Sequence, residues 1–165
     1  MSLTRLLRHL SATRWRTRRR FDARVLEQIE ADIGAAEAAH AGEIRFAVES
    51  ALPWPLLWRD VTPRQRALQV FAHLRMWDTA ANNGVLIYVD MADRAVEIVA
   101  DRGIAARVPQ SEWQQLCAQV ERFYRASQFA DGSRAAVAGV ARLLGRHFPA
   151  AAPHADELPN QPILL

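Results

Sequence analysis

The stretch Trp77–Ile104, WDTAANNGVLIYVDMADRAVEIVADRGI, restricts the fold more than any other part of the chain. Val85 to Val89 is apolar without a break, as a central strand covered on both faces requires. Ala95 to Ala100 alternates less cleanly, with Glu97 placed to face outward, and reads as a second strand. Only Asp90 to Arg94 separates the two, so they pair as an antiparallel hairpin. Ahead of the hairpin, Asn82-Asn83-Gly84 closes a loop, with Asn83-Gly84 suited to positive φ. Behind it, Asp101-Arg102-Gly103 reads as an acidic turn.

The flanking sequence supplies helices by periodicity and caps. Phe21, Val25, Leu26, Ile29, Ile33 and Ala36 mark one face of a helix running to about His40, and Gly42 stops it. Glu43 to Glu49 alternates strictly, with Ile44, Phe46 and Val48 on one side, which predicts a strand buried on one face only. Pro53 and Pro55 argue against regular structure between Ala51 and Val61. Thr62-Pro63-Arg64-Gln65 is a capping box with proline at the first helical position, opening a helix that should end near Asp78. Ser111 with Gln114 opens another helix by the same logic, and Asp131 is placed to cap a last one. After Pro149 the composition turns to alanine, proline and polar residues, as in a tail.

The order is therefore helix, strand, helix, strand, strand, helix, helix. The first strand–helix–strand unit should be a parallel crossover. The expected fold is a three-layer α/β/α sandwich, with a small mixed sheet of three to four strands and helices on both faces. The expected organisation is an arm over residues 1–20, a domain over 21–149 and a tail over 150–165.

Composition bounds function only loosely. A chain of 165 residues that is 50% hydrophobic can bury one substantial core. It has no run of about 18 apolar residues such as a membrane-spanning helix needs. A lone cysteine, Cys117, excludes an intramolecular disulfide framework and suits a reducing, cytoplasmic setting. It lies on the apolar face of its helix, as a buried thiol rather than a nucleophile would. All 21 basic residues are arginine. Eight of them fall in residues 1–24 against Asp22 alone, a net charge of about +7, while the other 13 face 17 acids, about −4. The basic character thus belongs to an arm. In it Leu3, Leu6, Leu7 and Leu10 stand at helical spacing, followed by Arg14, Arg16, Arg18, Arg19 and Arg20. Such a segment suits an anionic membrane surface or nucleic acid. The alternative is a solvated, partly disordered arm that packs a few leucines on the domain. Nucleic acid is the weaker choice because the folded part is net acidic.

The segment from about Phe21 to Leu165 resembles the TPM domain family. The resemblance is carried by Asn82-Asn83-Gly84-Val85-Leu86-Ile87 and by Glu97-Ile98-Val99-Ala100-Asp101-Arg102-Gly103-Ile104. A short bacterial subgroup without signal peptide or membrane anchor is similar in further places. These are Gly42-Glu43-Ile44-Arg45-Phe46, Trp77-Asp78-Thr79 and Glu157-Leu158-Pro159. The resemblance implies an α/β/α sandwich, and as partners a membrane-anchored TPM protein or a LemA-like protein. It also implies the phosphatase activity and divalent-cation binding attributed to some relatives. Many secreted members have Gly-x-Gly where this chain has Asp101-Arg102-Gly103.

Three groups of residues are candidate sites. Asp78, Asn82, Asn83 and Asp101 carry the hard oxygen ligands that Ca²⁺ or Mg²⁺ prefers, and Arg102 beside them suits a phosphate oxygen. Asp101 and Arg102 are accordingly the catalytic candidates. Against this, each has a structural role open to it as a cap, a turn residue or a surface ion pair. Glu37, His40 and Glu43 form a second cluster, to which His73 would have to be brought by the fold, although His40 also suits a helix C-cap. Trp54, Trp58, Arg16, Arg18, Arg19 and Arg20 are the candidates for binding a partner. There is no phosphate-cradling glycine loop, no Gly-x-Ser-x-Gly elbow and no cysteine–histidine metal spacing. Two expectations follow. One is a non-catalytic cytoplasmic binding module, peripheral at the inner membrane; the other is a divalent-cation-dependent phosphatase-like hydrolase using Asp78, Asn83, Asp101 and Arg102.

Overall fold

A computed structural model describes residues 2–150 and 157–165. It begins with two helices in the arginine-rich arm, α1 (Leu3–Ser11) and α2 (Arg14–Arg20), each opened by a side-chain cap, Ser2 and Thr13. Then come α3 (Ala23–Glu37), β1 (Glu43–Glu49), the short α4 (Trp54–Trp58) and α5 (Pro63–His73). They are followed by β2 (Gly84–Asp90), β3 (Ala95–Ala100), a single turn α6 (Arg102–Ala105), α7 (Gln110–Arg125), α8 (Phe129–His147) and β4 (Ile163–Leu164). The sheet has the order β3-β2-β1-β4. β1 and β2 are parallel with Glu43 opposite Gly84 and Glu49 opposite Asp90, and β2 and β3 form the antiparallel hairpin.

Alternation along the strands divides the core in two. Ile44, Phe46, Val48, Val85, Ile87, Val89, Val96 and Ile98 face α3, α7 and α8. On the other face Ala47, Leu86, Tyr88 and Val99 meet Ala67, Val70 and Phe71 of α5. The result is the three-layer sandwich expected from the sequence, with a mixed sheet of four strands. The Thr62–Gln65 capping box opens α5, with both of its reciprocal hydrogen bonds present.

Several expectations need correction. β1 is buried at all seven positions, because α5 and the C-terminal segment cover the face that carries its charged residues. The residues read as a tail supply β4, which pairs with Ala47 and Val48. Two residues with one register are too short to stand out in sequence. Glu157 accepts from the N–H of Ala80 and Glu43 from that of Leu158, so this segment is tied to two loops. Pro55 sits in the first turn of α4, where its missing N–H is harmless, so prolines do not bar a helix there. The helix expected to reach Asp78 stops at His73, and Arg75 turns the chain with φ 53°. α7 begins at Gln110 behind Pro109 without a side-chain cap. α8 begins at Phe129, leaving Asp131 inside its first turn. The positive φ before β2 lies at Asn82, 51°, not at Asn83-Gly84. Gly84 serves close approach instead: a Cβ there would lie 2.2 Å from the carbonyl oxygen of Met76.

The free edge of β3 is blocked from both sides. Arg64 of α5 donates to the carbonyl of Ile98 at 2.6 Å, and Glu121 of α7 accepts from the N–H of Val96 at 3.3 Å. Glu97, expected to face outward, is half-buried against Arg64. Side chains in these places stop a further strand from adding to the sheet.

Candidate functional site

Two ends of the sheet gather polar residues. The amino ends of β1 and β2 hold the groups singled out in the sequence. Asp101 is buried and caps α6, with one carboxylate oxygen accepting from the N–H of Arg102 at 2.7 Å. The acidic turn expected here is thus a capped helical turn. Arg102 does not pair with Asp101; its Nε donates to the side-chain oxygen of Asn82 at 2.8 Å, on the surface. Asn83 is buried and donates twice, through its side-chain amide to the carbonyl of Ala41 and through its backbone N–H to Thr79 Oγ1. Asp78 is exposed. Asp101 and Asn83 keep one oxygen each, Oδ2 and Oδ1, buried without a hydrogen-bond partner. The fold therefore brings Asn82, Asn83, Asp101 and Arg102 to one end, held by bonds to backbone and to each other.

The second cluster is at the same end and is fully buried. Glu37 accepts from the N–H of Ile44 at 2.7 Å, His40 Nδ1 from Gly42 at 3.3 Å, and Glu43 from Leu158 at 3.3 Å. α3 ends at Glu37 with Ala38 as its C-cap, three residues before His40. His40 instead bridges to Pro149, which ties the end of α8 to β1. His73 is exposed at the end of α5. Cys117 is half-buried, and burial pushes its thiol up to about 12, which leaves it un-ionised and poorly nucleophilic.

The opposite, carboxyl end assembles groups that the sequence reading passed over. Arg66 of α5 grips the Glu49 carboxylate with two bonds of 2.8 Å, and Tyr88 donates to the same carboxylate at 2.6 Å. Burial drives the Tyr88 hydroxyl upward, so it remains a donor. Beside them Asp90 is fully buried. Its Oδ1 accepts from the N–H of Asp93, yet burial, with the charges of Asp93 and Glu49 adding, raises its carboxyl to about 7. Asp93 in the following turn would also be raised by burial, but Arg5 holds it below the usual carboxylate range.

Arg5 and His9 carry α1 onto this end. Arg5 bonds Asp93 through Nε, Asp60 at 2.7 Å and the carbonyl of Val61 at 2.6 Å. His9 is buried, and its Nδ1 accepts from the N–H of Leu52 at 3.1 Å. That bond places the ring proton on Nε2, which lies 3.3 Å from Asp93 Oδ2 without a hydrogen bond to it. His9, Asp90 and Asp93 bring potential ligand atoms within 4.8 Å of one another. The proton on Nε2 and the arginines on Asp93 make this arrangement a poor fit for a metal ion. The arm is thus docked by charged groups, whereas Leu3, Leu7 and Leu10 are 72%, 56% and 62% exposed. The leucine packing expected of a solvated arm is not what holds it. An arginine and a histidine four residues apart, and two aspartates three apart in a hairpin turn, were the available signal.

The partner-binding candidates are all on the surface. Trp54 and Trp58 lie on α4 with ring centroids 5.6 Å apart. Arg16 reaches back to the carbonyl of Ser11, Arg18 is exposed, Arg19 sits over the exposed Trp15, and Arg20 sits over Phe129. Among the described residues no helix is long and apolar enough to cross a membrane.

Comparison with known proteins agrees with the fold and the sequence motifs. The NMR structure of BA42 protein from the psychrophilic bacterium Bizionia argentinensis is similar at 29% identity. It covers 86% of this chain and 93% of that one, with a TM-score of 0.75. The N-terminal domain of a P. gingivalis protein is similar in fold at 18% identity, covering 81% and 82%, with a TM-score of 0.63. No curated protein matches the chain. A family model described as the TPM domain matches residues 19–143, from the end of α2 into α8 and across both ends of the sheet. This chain belongs to the TPM domain family.

Proposed function

We propose that the chain is a non-catalytic binding and accessory module of the cytoplasm, which meets its partner at the inner membrane surface. One observation carries this reading: α1 is bonded to the residues on either side of α4, and both helices expose apolar side chains. His9 bonds Leu52 just before α4, and Arg5 bonds Asp60 and Val61 just after it. Leu3, Leu7 and Leu10 are exposed on α1 and Trp54 and Trp58 on α4, with Trp15 and the arginines of α2 next in the chain after α1. Exposed apolar side chains among basic ones suit an interfacial helix that rests on anionic lipid. A membrane-anchored TPM or LemA-like protein is the kind of partner that family membership brings to such a surface.

Flotation with phosphatidylglycerol vesicles tests the reading. The full chain should float at low salt, and Leu7→Ser with Trp58→Ser should remain in the soluble fraction. Equal flotation of parent and double variant would remove the surface from consideration.

A second reading, a divalent-cation-dependent phosphatase-like hydrolase, draws on the unpartnered buried oxygens of Asn83 and Asp101. Asp101 and Asn83 would hold Mg²⁺ or Ca²⁺ and Arg102 the phosphate, with Asp78 and Asn82 at the rim. It requires Mg²⁺-dependent turnover of a generic phosphomonoester that Asp101→Asn abolishes. Asparagine can still cap α6, so loss of activity with an unchanged melting temperature would identify a chemical role.

A further inference from the structure

The carboxyl end of β2 opens on a small cleft that neither reading uses. Three arginines from separate parts of the chain line it: Arg20 at the end of α2, Arg94 in the β2–β3 turn and Arg125 at the end of α7. Arg125 meets Glu121 in one surface pair. Among the described residues, no carboxylate forms an ion pair with Arg20 or Arg94. Arg20 sits 4.8 Å from the centre of the Phe129 ring, a support that fixes its position and leaves its N–H groups available.

The remaining wall points the same way. Ser127 contributes a hydroxyl, and α8 opens at Phe129 with no side-chain cap, so its first-turn N–H groups are unmatched by a side chain. Val89, Asp90, Met91 and Tyr124 complete the wall. The space between is about 80 Å³, room for two or three waters at about 30 Å³ each, or for one tetrahedral oxyanion. Parallel strands of open α/β sheets bind ligands beyond their carboxyl ends, and this is such an end.

We propose that this cleft binds a phosphate-class oxyanion, inorganic phosphate or the phosphate group of a small ester, gripped by Arg20, Arg94 and Arg125. Three guanidinium groups, a hydroxyl and a helix N-terminus offer donors from more directions than the two oxygens of a planar carboxylate accept. A tetrahedral oxyanion uses them all.

Titration of the ¹⁵N-labelled full chain with sodium phosphate, at constant ionic strength against chloride, reads the site directly. Saturable shifts are expected at the Arg20, Arg94 and Arg125 Nε–H signals and the Ser127 and Phe129 amides, with a Kd below about 1 mM. Arg94→Gln and Arg125→Gln should each weaken binding about tenfold. Arg146→Gln, whose arginine pairs with Glu112 near the other end of α8, should leave it unchanged. Melting curves confirm that each variant is folded. Glycerol phosphate and phosphatidate vesicles separate the sources. Saturation by the soluble ester marks a small metabolite; vesicle binding that the Arg94→Gln, Arg125→Gln double variant loses marks a headgroup. Shifts that stay linear to about 20 mM phosphate, or that appear equally at Arg146, together with vesicle binding unaltered in the double variant, would overturn the proposal.

Discussion

The two ends of the sheet are built from similar residues by different rules. At the amino end the polar side chains serve backbone. Asp101 caps α6, Asn83 holds the carbonyl of Ala41, and Glu37, His40 and Glu43 each accept a main-chain N–H. At the carboxyl end side chains hold side chains: Arg66 and Tyr88 grip Glu49, and Arg5 grips Asp93. Both ends keep buried free oxygens, on Asn83 and Asp101 at one and on Asp90 at the other, but at the carboxyl end two arginines, Arg20 and Arg94, also lack a counter-ion among the described residues. Polar groups that satisfy the main chain stabilise turns, whereas charge left over among side chains is free to meet a ligand. The comparison teaches that the polar motif most visible in the sequence is chiefly architectural, and that the less visible end carries the uncommitted charge.

The largest effect should come from attacking the architecture of the amino end. Gly84→Ala would drive a Cβ to 2.2 Å from the Met76 carbonyl oxygen, a backbone atom that cannot step aside. A loss of more than about 3 kcal/mol is expected in chemical denaturation. A variant of near-parent stability would show that the loop before β2 adapts and that the amino end is not rigid.

Asp90→Asn examines the carboxyl end through pH. The folded state holds the Asp90 proton up to about pH 7, well above the usual carboxylate value of about 4. Its contribution to stability is therefore retained below about pH 4 and falls as pH rises through 7. Asparagine does not titrate, so the variant should match the parent near pH 4 and exceed it at pH 8 by up to about 4 kcal/mol. If the pH dependence of melting is unchanged, Asp90 is not the buried neutral acid, and the contrast between the ends weakens.

Arg5→Ala removes the docking of α1 and leaves Asp93 with fewer partners. About 1–3 kcal/mol is expected from breaking such part-buried charged bonds. The loss should be local, as faster amide exchange over residues 3–20 and Leu52 while the sheet keeps its protection. Uniform exchange across the protein would mean that arm and domain unfold as one unit. The smallest effect belongs to Arg102→Ala, which loses one exposed bond to Asn82 and should cost under about 0.5 kcal/mol. A larger loss would give the amino end a side-chain network that its geometry does not contain.

Legibility followed the range of the interactions. The hairpin, the central strand and the Thr62 cap could be read because each depends on neighbours a few residues away. The amino-end candidates were visible for the same reason, since Asn82, Asn83 and Asp101 mark turns. Helix ends were less legible: α5 stops at His73 although apolar spacing continues to Trp77, because Arg75 takes a left-handed turn that lets Met76 enter the core. The carboxyl-end residues escaped notice because Arg5, His9, Glu49, Asp90 and Arg125 share no motif and meet only through the fold.

The sequence alone determined the layers of this protein, the hairpin at the edge of its sheet and its place among TPM domains, since periodicity and capping are local. Only the tertiary structure decided that the C-terminal residues add a fourth strand, that charges rather than leucines dock α1, and which polar groups are left uncommitted. Those outcomes depend on burial and on partners distant in the chain. There a single desolvated carboxyl or unmatched guanidinium weighs more than any local preference.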